Sequence, residues 1–204
     1  FHVPEPTLRR LPWYLAFAKL VLKQGESYLS STQIARNISV DASMVAKDLS
    51  YVKISGKTRV GYDVKELDAV LEGFLGFTNS HQAYLFGVGS LGGALMHDNG
   101  LEQFGLEIMA GFDVKYELSG TSINHIPIHH IDRFVELQKQ TGVNIGILTV
   151  PVDKAQEVSE VMVAGGIKAI WNFTPYRIVV PDNIVVQNTS IYAHLAVMFN
   201  RLNA

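Results

Sequence analysis

Phe86-Gly87-Val88-Gly89-Ser90-Leu91-Gly92-Gly93-Ala94-Leu95 is the stretch on which the reading of this 204-residue chain turns. The apolar run Ala83–Phe86 leads into it as a buried strand, and Leu91–His97 leads out as a helix. Gly87, Gly89 and Gly92 match the G-x-G-x-x-G spacing of a dinucleotide-binding turn. The first glycine makes the tight turn, the second lets backbone approach a pyrophosphate, and the third lets helix pack on strand. Free amides and the dipole at the helix start would hold the phosphates. Leu106–Phe112 reads as a second apolar strand ending on Asp113, and the fingerprint calls for an acid about 20 residues after its glycines to bind ribose hydroxyls. A plain tight turn in an α/β sheet is the simpler alternative.

Downstream, apolar runs and helical periodicities alternate, which predicts a parallel sheet covered by helices. Ile123–Ile128 reads as a short strand or loop, Ile131–Thr141 as a helix and Val143–Val150 as a strand. A helix capped by Asp153 runs to Ala164, and Ile167–Trp171 follows as a strand. Ile178–Val180 and Ile184–Val186 add one or two more strands. Asn172-Phe173-Thr174-Pro175 falls where a strand's carboxyl end meets the ligand crevice of such a sheet. Ile191–Leu202 is a strongly apolar closing helix that needs a partner surface, either its own sheet or a second subunit.

Upstream, Thr7–Gln24 carries apolar residues at helical spacing and ends at Gly25. Ser30 and Gln33 form a capping box before a short helix, Thr32–Ile38. After the turn Ser39-Val40-Asp41, Asp41 or Ser43 caps a third helix to about Val52. Helix, short turn and helix is the helix-turn-helix pattern, whose second helix enters the major groove. Ser43, Met44, Lys47 and Tyr51 lie off its apolar stripe. Lys53–Tyr62 reads as a hairpin wing with Lys57 and Arg59 at its tip. Asp63–Gly76 is a linking helix, and Thr78–His81 is the boundary. A three-helix dimerisation domain with a solvated basic face is the bland alternative.

Charge supports a polyanion at one end. Phe1–Tyr62 holds nine basic residues against four acidic ones, whereas the remainder holds eight against fifteen. The chain is 48% apolar and contains no cysteine, which excludes global disorder, disulfides and thiolate metal sites. No apolar run reaches the ~18 residues of a membrane span. No signal peptide is expected in Phe1-His2-Val3-Pro4, and a cytoplasmic protein is. His125, His129 and His130 lack the further ligands of a tetrahedral site, so no metal is expected. A dehydrogenase with a helical extension is the competing function. It would need a positioned acid or base beside the nicotinamide and a substrate pocket, and neither is apparent. A CoA-binding domain of similar topology is a third reading.

With these pieces in place, the chain resembles the Rex family of redox-sensing transcriptional repressors over nearly its whole length. The matching residues include Arg10-Leu11-Pro12, Lys47-Asp48-Leu49-Ser50-Tyr51, Val60-Gly61-Tyr62-Asp63 and the glycine turn. Phe112-Asp113-Val114, His130-Ile131-Asp132, Val150-Pro151 and Asn172-Phe173-Thr174-Pro175 also match. The resemblance implies a homodimer that binds palindromic operator DNA and releases it when NADH binds, with NAD competing and no turnover. It implies a winged-helix domain with linking helix over 1–78, a Rossmann domain over 79–190 and a helix exchanged between subunits over 191–204. Together with the pattern above, it assigns the cofactor to Gly87, Val88, Gly89, Ser90, Leu91, Gly92, Asp113, Val114, Lys115, Val150, Pro151, Asn172, Phe173, Thr174 and Ile191. It assigns DNA to Arg9, Arg10, Ser43, Met44, Lys47, Tyr51, Lys53, Lys57 and Arg59. The chain departs from the family at Ala46, where an Arg is usual, and at Lys115, where an Asp is. Ala16, Asp98 and Ser190 stand where some members carry a redox-sensitive Arg, Tyr and Asp.

Overall fold

The computed structural model describes residues 2–204, which divide into two compact units, one ending at Asn79 and the other running Ser80–Ala204. Each has its own core.

In the first unit, α1 (Glu5–Lys23) begins one turn before Leu8, because Pro6 fits a helix's first turn, where its missing N–H costs nothing. Its buried stripe of Leu11, Tyr14, Leu15, Ala18 and Val21 packs along α4 (Val64–Leu75). The capping box forms as read: Ser30 Oγ accepts the Gln33 N–H at 3.1 Å, and Gln33 Oε1 accepts the Ser30 N–H at 2.8 Å. It starts α2 (Ser31–Ile38), which stops at Ser39 in the left-handed region. The next helix is α3 (Ala42–Tyr51). Asp41 occupies its N-cap position but makes no capping bond there.

The expected wing is smaller than its sequence suggests. Lys57 and Gly61 form a single antiparallel bridge, with N–H···O distances of 2.8 and 2.9 Å. β2 (Tyr62–Asp63) pairs instead with β1 (Tyr28–Leu29). Lys53 adopts positive φ and Ile54 is buried in the core, so residues 53–55 do not run as the second arm.

In the second unit β3 (His81–Phe86) is flanked by β4 (Leu106–Asp113) and β7 (Ile145–Leu148), all parallel. β6 (Ile126–His130) adds beyond β4; β8 (Ala169–Asn172) and β9 (Val185–Asn188) add beyond β7. β5 (Ser122–Ile123) closes the far edge antiparallel to β6 through a turn whose Asn124 and His125 both have positive φ. The chain thus winds outward from β3 to one side and then returns to the other. That reversal, between β3 and β7, is where open α/β sheets hold ligands.

Side chains alternate across the sheet. Ala83, Leu85 and Ile147 meet Met96 of α5 (Ser90–His97) on one face. Tyr84, Phe86 and Leu148 face α7 (Phe134–Thr141) and α8 (Ala155–Ala164) on the other. There Tyr84, Phe86, Phe112 and Phe134 form an aromatic cluster with ring centroids 4.9–6.2 Å apart. Burying each such ring stabilises the unit by roughly 1.5–3 kcal/mol. A short helix α6 (Gly100–Gln103) precedes β4.

Several boundaries differ from the sequence reading. Asp153 does not cap α8; a 3₁₀ turn over Val152–Lys154 leads into it. Ile178–Val180 is no strand, and only Val185–Asn188 adds one. The final helix α9 (Ile191–Leu202) buries none of its residues, although Tyr192, Val197, Met198, Phe199 and Leu202 lie along it. Its own unit therefore leaves it without a packing surface.

Candidate functional site

The glycine turn sits at the carboxyl end of β3, beside the reversal point. Gly87 has φ +100°, and a Cβ there would meet the Thr149 carbonyl oxygen at 2.7 Å. The Thr149 hydroxyl donates to the Gly87 carbonyl at 2.8 Å, tying the turn to the end of β7. A Cβ on Gly92 would collide with the Gly87 carbonyl, so the start of α5 presses on the turn only because Gly92 has no side chain. Gly89 is different: a Cβ there would meet nothing within 4 Å. It is also the N-cap of α5 and supplies no capping side chain. The helix start is therefore without a side-chain cap and has open space beside Gly89, the condition for receiving an anion.

That space is part of a cavity of about 1070 Å³. Its walls include Gly87, Val88, Gly89 and Leu91 of the turn, and Asp113, Val114 and Lys115 beyond β4. Val150 and Pro151 beyond β7, and Phe173, Thr174 and Pro175 beyond β8, complete the strand-end rim. Ser190, Ile191 and Tyr192 at the start of α9 reach it too. Ser90 and Gly92 do not line it: Ser90 is exposed at the helix start, and Gly92 is buried beneath the turn.

Asp113 occupies the expected place at the end of β4, yet its carboxylate also braces the turn. Oδ2 accepts the Val88 N–H at 2.8 Å, and Oδ1 accepts the Lys115 N–H at 2.9 Å. A carboxylate oxygen takes two hydrogen bonds, so each retains capacity for a ribose hydroxyl. Asn172, expected at the cofactor, is instead fully buried. Its amide donates to the Tyr176 carbonyl at 2.7 Å and to Asn188 Oδ1 at 2.9 Å, and its oxygen accepts the Thr174 N–H and hydroxyl. It pins the loop that presents Phe173, Thr174 and Pro175. The local cause is that Asn172 ends β8 pointing inward, where an amide must pair fully.

Residues outside the sequence reading join this wall. Lys154 and Glu157, paired at 3.0 Å, lie along it with Asp132 and Tyr192. Thr149 had a readable signal, a hydroxyl at the end of an apolar strand; Tyr192 had none. His130 stacks on Tyr116 with centroids 4.0 Å apart, next to the Val114 backbone. His129 packs against Phe112, and burial and then Arg133 hold its pKa below the usual histidine value. Asp98 accepts the Gly100 N–H at the surface.

In the first unit, Ser43, Met44 and Lys47 are exposed on α3, and Tyr51 is half-buried at its end. Lys53, Lys57 and Arg59 are exposed beyond it. Lys57 is held in place by Tyr28: its Nζ donates to the phenol oxygen at 2.9 Å and lies 5.0 Å from the ring centroid. Arg9 is exposed and paired with Glu5. Arg10 requires a correction. It faces inward, its Nε 2.6 Å from Asp48 Oδ2 and its Nη2 2.8 Å from Oδ1, so its charge is spent inside the unit. Asp48, almost fully buried on α3, had attracted no such partner in the sequence because the two are 38 positions apart.

Residues 78–176 match the family described as "CoA binding domain", and residues 2–50 match "Putative DNA-binding protein N-terminus". The chain is 67% identical over 201 residues to a redox-sensing transcriptional repressor Rex of Bacteroides fragilis, covering 98% of this chain and 91% of that one. It is 61% identical over 202 residues to the protein of the same name from Porphyromonas gingivalis, covering 99% and 93%. Among solved structures, RSP in complex with β-NAD⁺ and operator DNA superposes with a TM-score of 0.93 at 30% identity, covering all of this chain and 94% of that one. RSP in complex with β-NADH gives 0.90 at 30% identity, covering all of this chain and 95% of that one. Among the described residues, no helix is long and apolar enough to cross a membrane.

Proposed function

This chain belongs to the Rex family of redox-sensing transcriptional repressors, and from that premise we propose that it is an NADH-responsive repressor of the same kind. As a homodimer it binds a palindromic operator through residues 1–78, and it binds NAD(H) through residues 79–190. NADH is a regulatory ligand that lowers its hold on DNA; NAD competes for the site without releasing the operator. The protein is not an enzyme, and it acts in the cytoplasm, where it meets its DNA.

The observation that carries the nucleotide reading is the open Cβ direction of Gly89 at an uncapped helix start, facing the cavity beside Asp113. Pyrophosphate sits against the amides of the turn, and Asp113 receives the adenosine ribose. The nicotinamide lies toward Val150, Pro151 and Phe173. The two redox forms differ only in that ring, and a ligand shifts an equilibrium only by its differential affinity for the two states. Discrimination must therefore arise at that end.

On the DNA side, Lys47, Lys53, Lys57 and Arg59 are exposed cations on α3 and in the segment that follows it, with Ser43, Met44 and Tyr51 as candidates for base edges. Arg9 is exposed and paired with Glu5, and Arg10 is excluded by its bond to Asp48. The helix α9, residues 191–204 with its tail, is exchanged with the second subunit, which would cover the apolar face its own unit leaves bare. The deciding experiment is fluorescence anisotropy on a palindromic duplex, with NADH and NAD added separately. Release by NADH at concentrations where NAD leaves the complex intact is expected; indifference to both refutes the reading. Adding CoA as competitor tests the ligand suggested by the "CoA binding domain" match.

A further inference from the structure

Asp48 is the one carboxylate of α3, and it points away from the face that the exposed residues present. Its side chain is buried, and every hydrogen bond it accepts comes from α1. Oδ1 takes the Thr7 hydroxyl at 2.9 Å and Arg10 Nη2 at 2.8 Å; Oδ2 takes Arg10 Nε at 2.6 Å and the Tyr14 hydroxyl at 2.6 Å. Thr7, Arg10 and Tyr14 recur at helical spacing, so one stripe of α1 is built around one carboxylate. The ionisation states match the geometry. Burial would push the Asp48 carboxyl up, but the bonds from Arg10, Tyr14 and Thr7 outweigh it and hold the carboxyl below its usual range. Its bond to Asp48 holds the Arg10 guanidinium charged.

Such a cluster adds little net stability over a well-packed apolar substitute, because desolvating the ions offsets their attraction. What it adds is direction. A planar guanidinium gripping both carboxylate oxygens permits one orientation. Apolar packing by Val45, Leu49 and Val52 tolerates some rolling of the helix about its axis. Lys47 precedes Asp48 and stands about 100° from it around the helix. With side-chain heads about 5–6 Å from the axis, a roll of ~20° moves them by about 2 Å. That is enough to break a contact with a base edge, whereas a lysine can still find a phosphate.

We propose that Asp48, held by Thr7, Arg10 and Tyr14, is a positioning residue that sets the roll of α3 and thereby governs sequence discrimination rather than general affinity for DNA. This rests on the DNA-binding reading above. The test uses the full chain, a palindromic duplex selected by the wild-type protein from a random library, and a scrambled duplex of equal length. Affinities for both are measured by anisotropy across a salt series for wild type, Tyr14→Phe, Thr7→Val, Thr7→Ser and Asp48→Asn, with thermal melts followed by circular dichroism as the control for folding.

Tyr14→Phe and Thr7→Val should each lower the ratio of selected to scrambled affinity several-fold, and Asp48→Asn roughly tenfold or more, which is the scale of one lost base contact. The salt slope on the scrambled duplex should not change, and Thr7→Ser, which keeps the hydroxyl, should keep the ratio. Should Asp48→Asn fail to melt cooperatively, the two milder substitutions decide. Folded variants that discriminate as well as wild type overturn the positioning role. So does a ratio that holds while affinity for both duplexes and the salt slope fall together, since that is the signature of lost phosphate contacts. A wild-type protein that selects no sequence overturns the DNA-binding reading itself, and the positioning role with it.

Discussion

The Asp113 carboxylate, at the end of one central strand, accepts the backbone N–H of Val88 in the glycine turn after its neighbour at 2.8 Å. An acid expected to serve only the ribose thus also sets the shape of the loop that receives the phosphates. Asp113→Ala should therefore weaken NADH binding by at least tenfold, since a hydrogen bond to a charged group contributes about 1.5–3 kcal/mol. Asp113→Asn, which keeps an acceptor, should lose less. Calorimetric titration checks both, and unaltered binding by the alanine variant would remove Asp113 from the site.

Two glycines of the same turn should fail in different ways. Gly89→Val points into open space, so the chain should fold and melt normally yet not bind NADH. Gly92→Val drives a side chain into the Gly87 carbonyl and the Thr149 hydroxyl, so it should lower the melting temperature of the unit. Thermal melts beside calorimetry separate the two outcomes. Normal NADH binding by Gly89→Val would contradict the pyrophosphate position.

Exposed and buried cations should also part ways. Lys47→Ala and Lys57→Ala should weaken binding to any duplex and each reduce the salt slope by about one. Arg10→Ala removes no exposed charge but strands the buried Asp48, so it should destabilise the first unit by about 3–5 kcal/mol. Denaturant melts and salt-dependent anisotropy read the contrast. A salt slope unaffected by Lys47→Ala and Lys57→Ala would exclude phosphate contacts there.

Removing Ile191–Ala204 takes away an apolar helix that no part of its own unit buries. The truncated chain should sediment as monomer or aggregate. A well-behaved dimer in the ultracentrifuge would rule out the exchanged helix.

His129 predicts a dependence on mild acidity. Burial, and then Arg133, hold its pKa below the ordinary 6.5, so near that value the unfolded chain binds more protons than the folded one. Its contribution to stability is complete above 6.5 and is lost as pH falls through the lowered folded value. Melting of the second unit should show a fall on acidification that His129→Gln flattens. Identical profiles would mean that another group carries the acid sensitivity.

What could be read from residues alone was local. Glycine spacing, the Ser30–Gln33 capping box and the two hydrophobic periods act over a few positions, so they survive in a string of letters. They were enough for a helix-turn-helix unit and a parallel sheet with a ligand crevice at its switch point. The wing was over-read because alternating polarity does not reveal that Lys53 adopts positive φ and that Ile54 is buried in the core.

Partner choice was not legible, because it is made between segments far apart in the chain. Arg10 looked like a DNA contact until folding brought it onto Asp48, and Asn172 looked like a ligand residue until the end of its strand turned inward. Asp113 lies 25 positions from the Val88 amide it holds. A buried polar group must find its match wherever the fold places one. The order of residues thus settled which elements form and where an anion could sit. Only the packed structure decided which charges remain free to meet DNA and which are consumed in holding the helix that presents them.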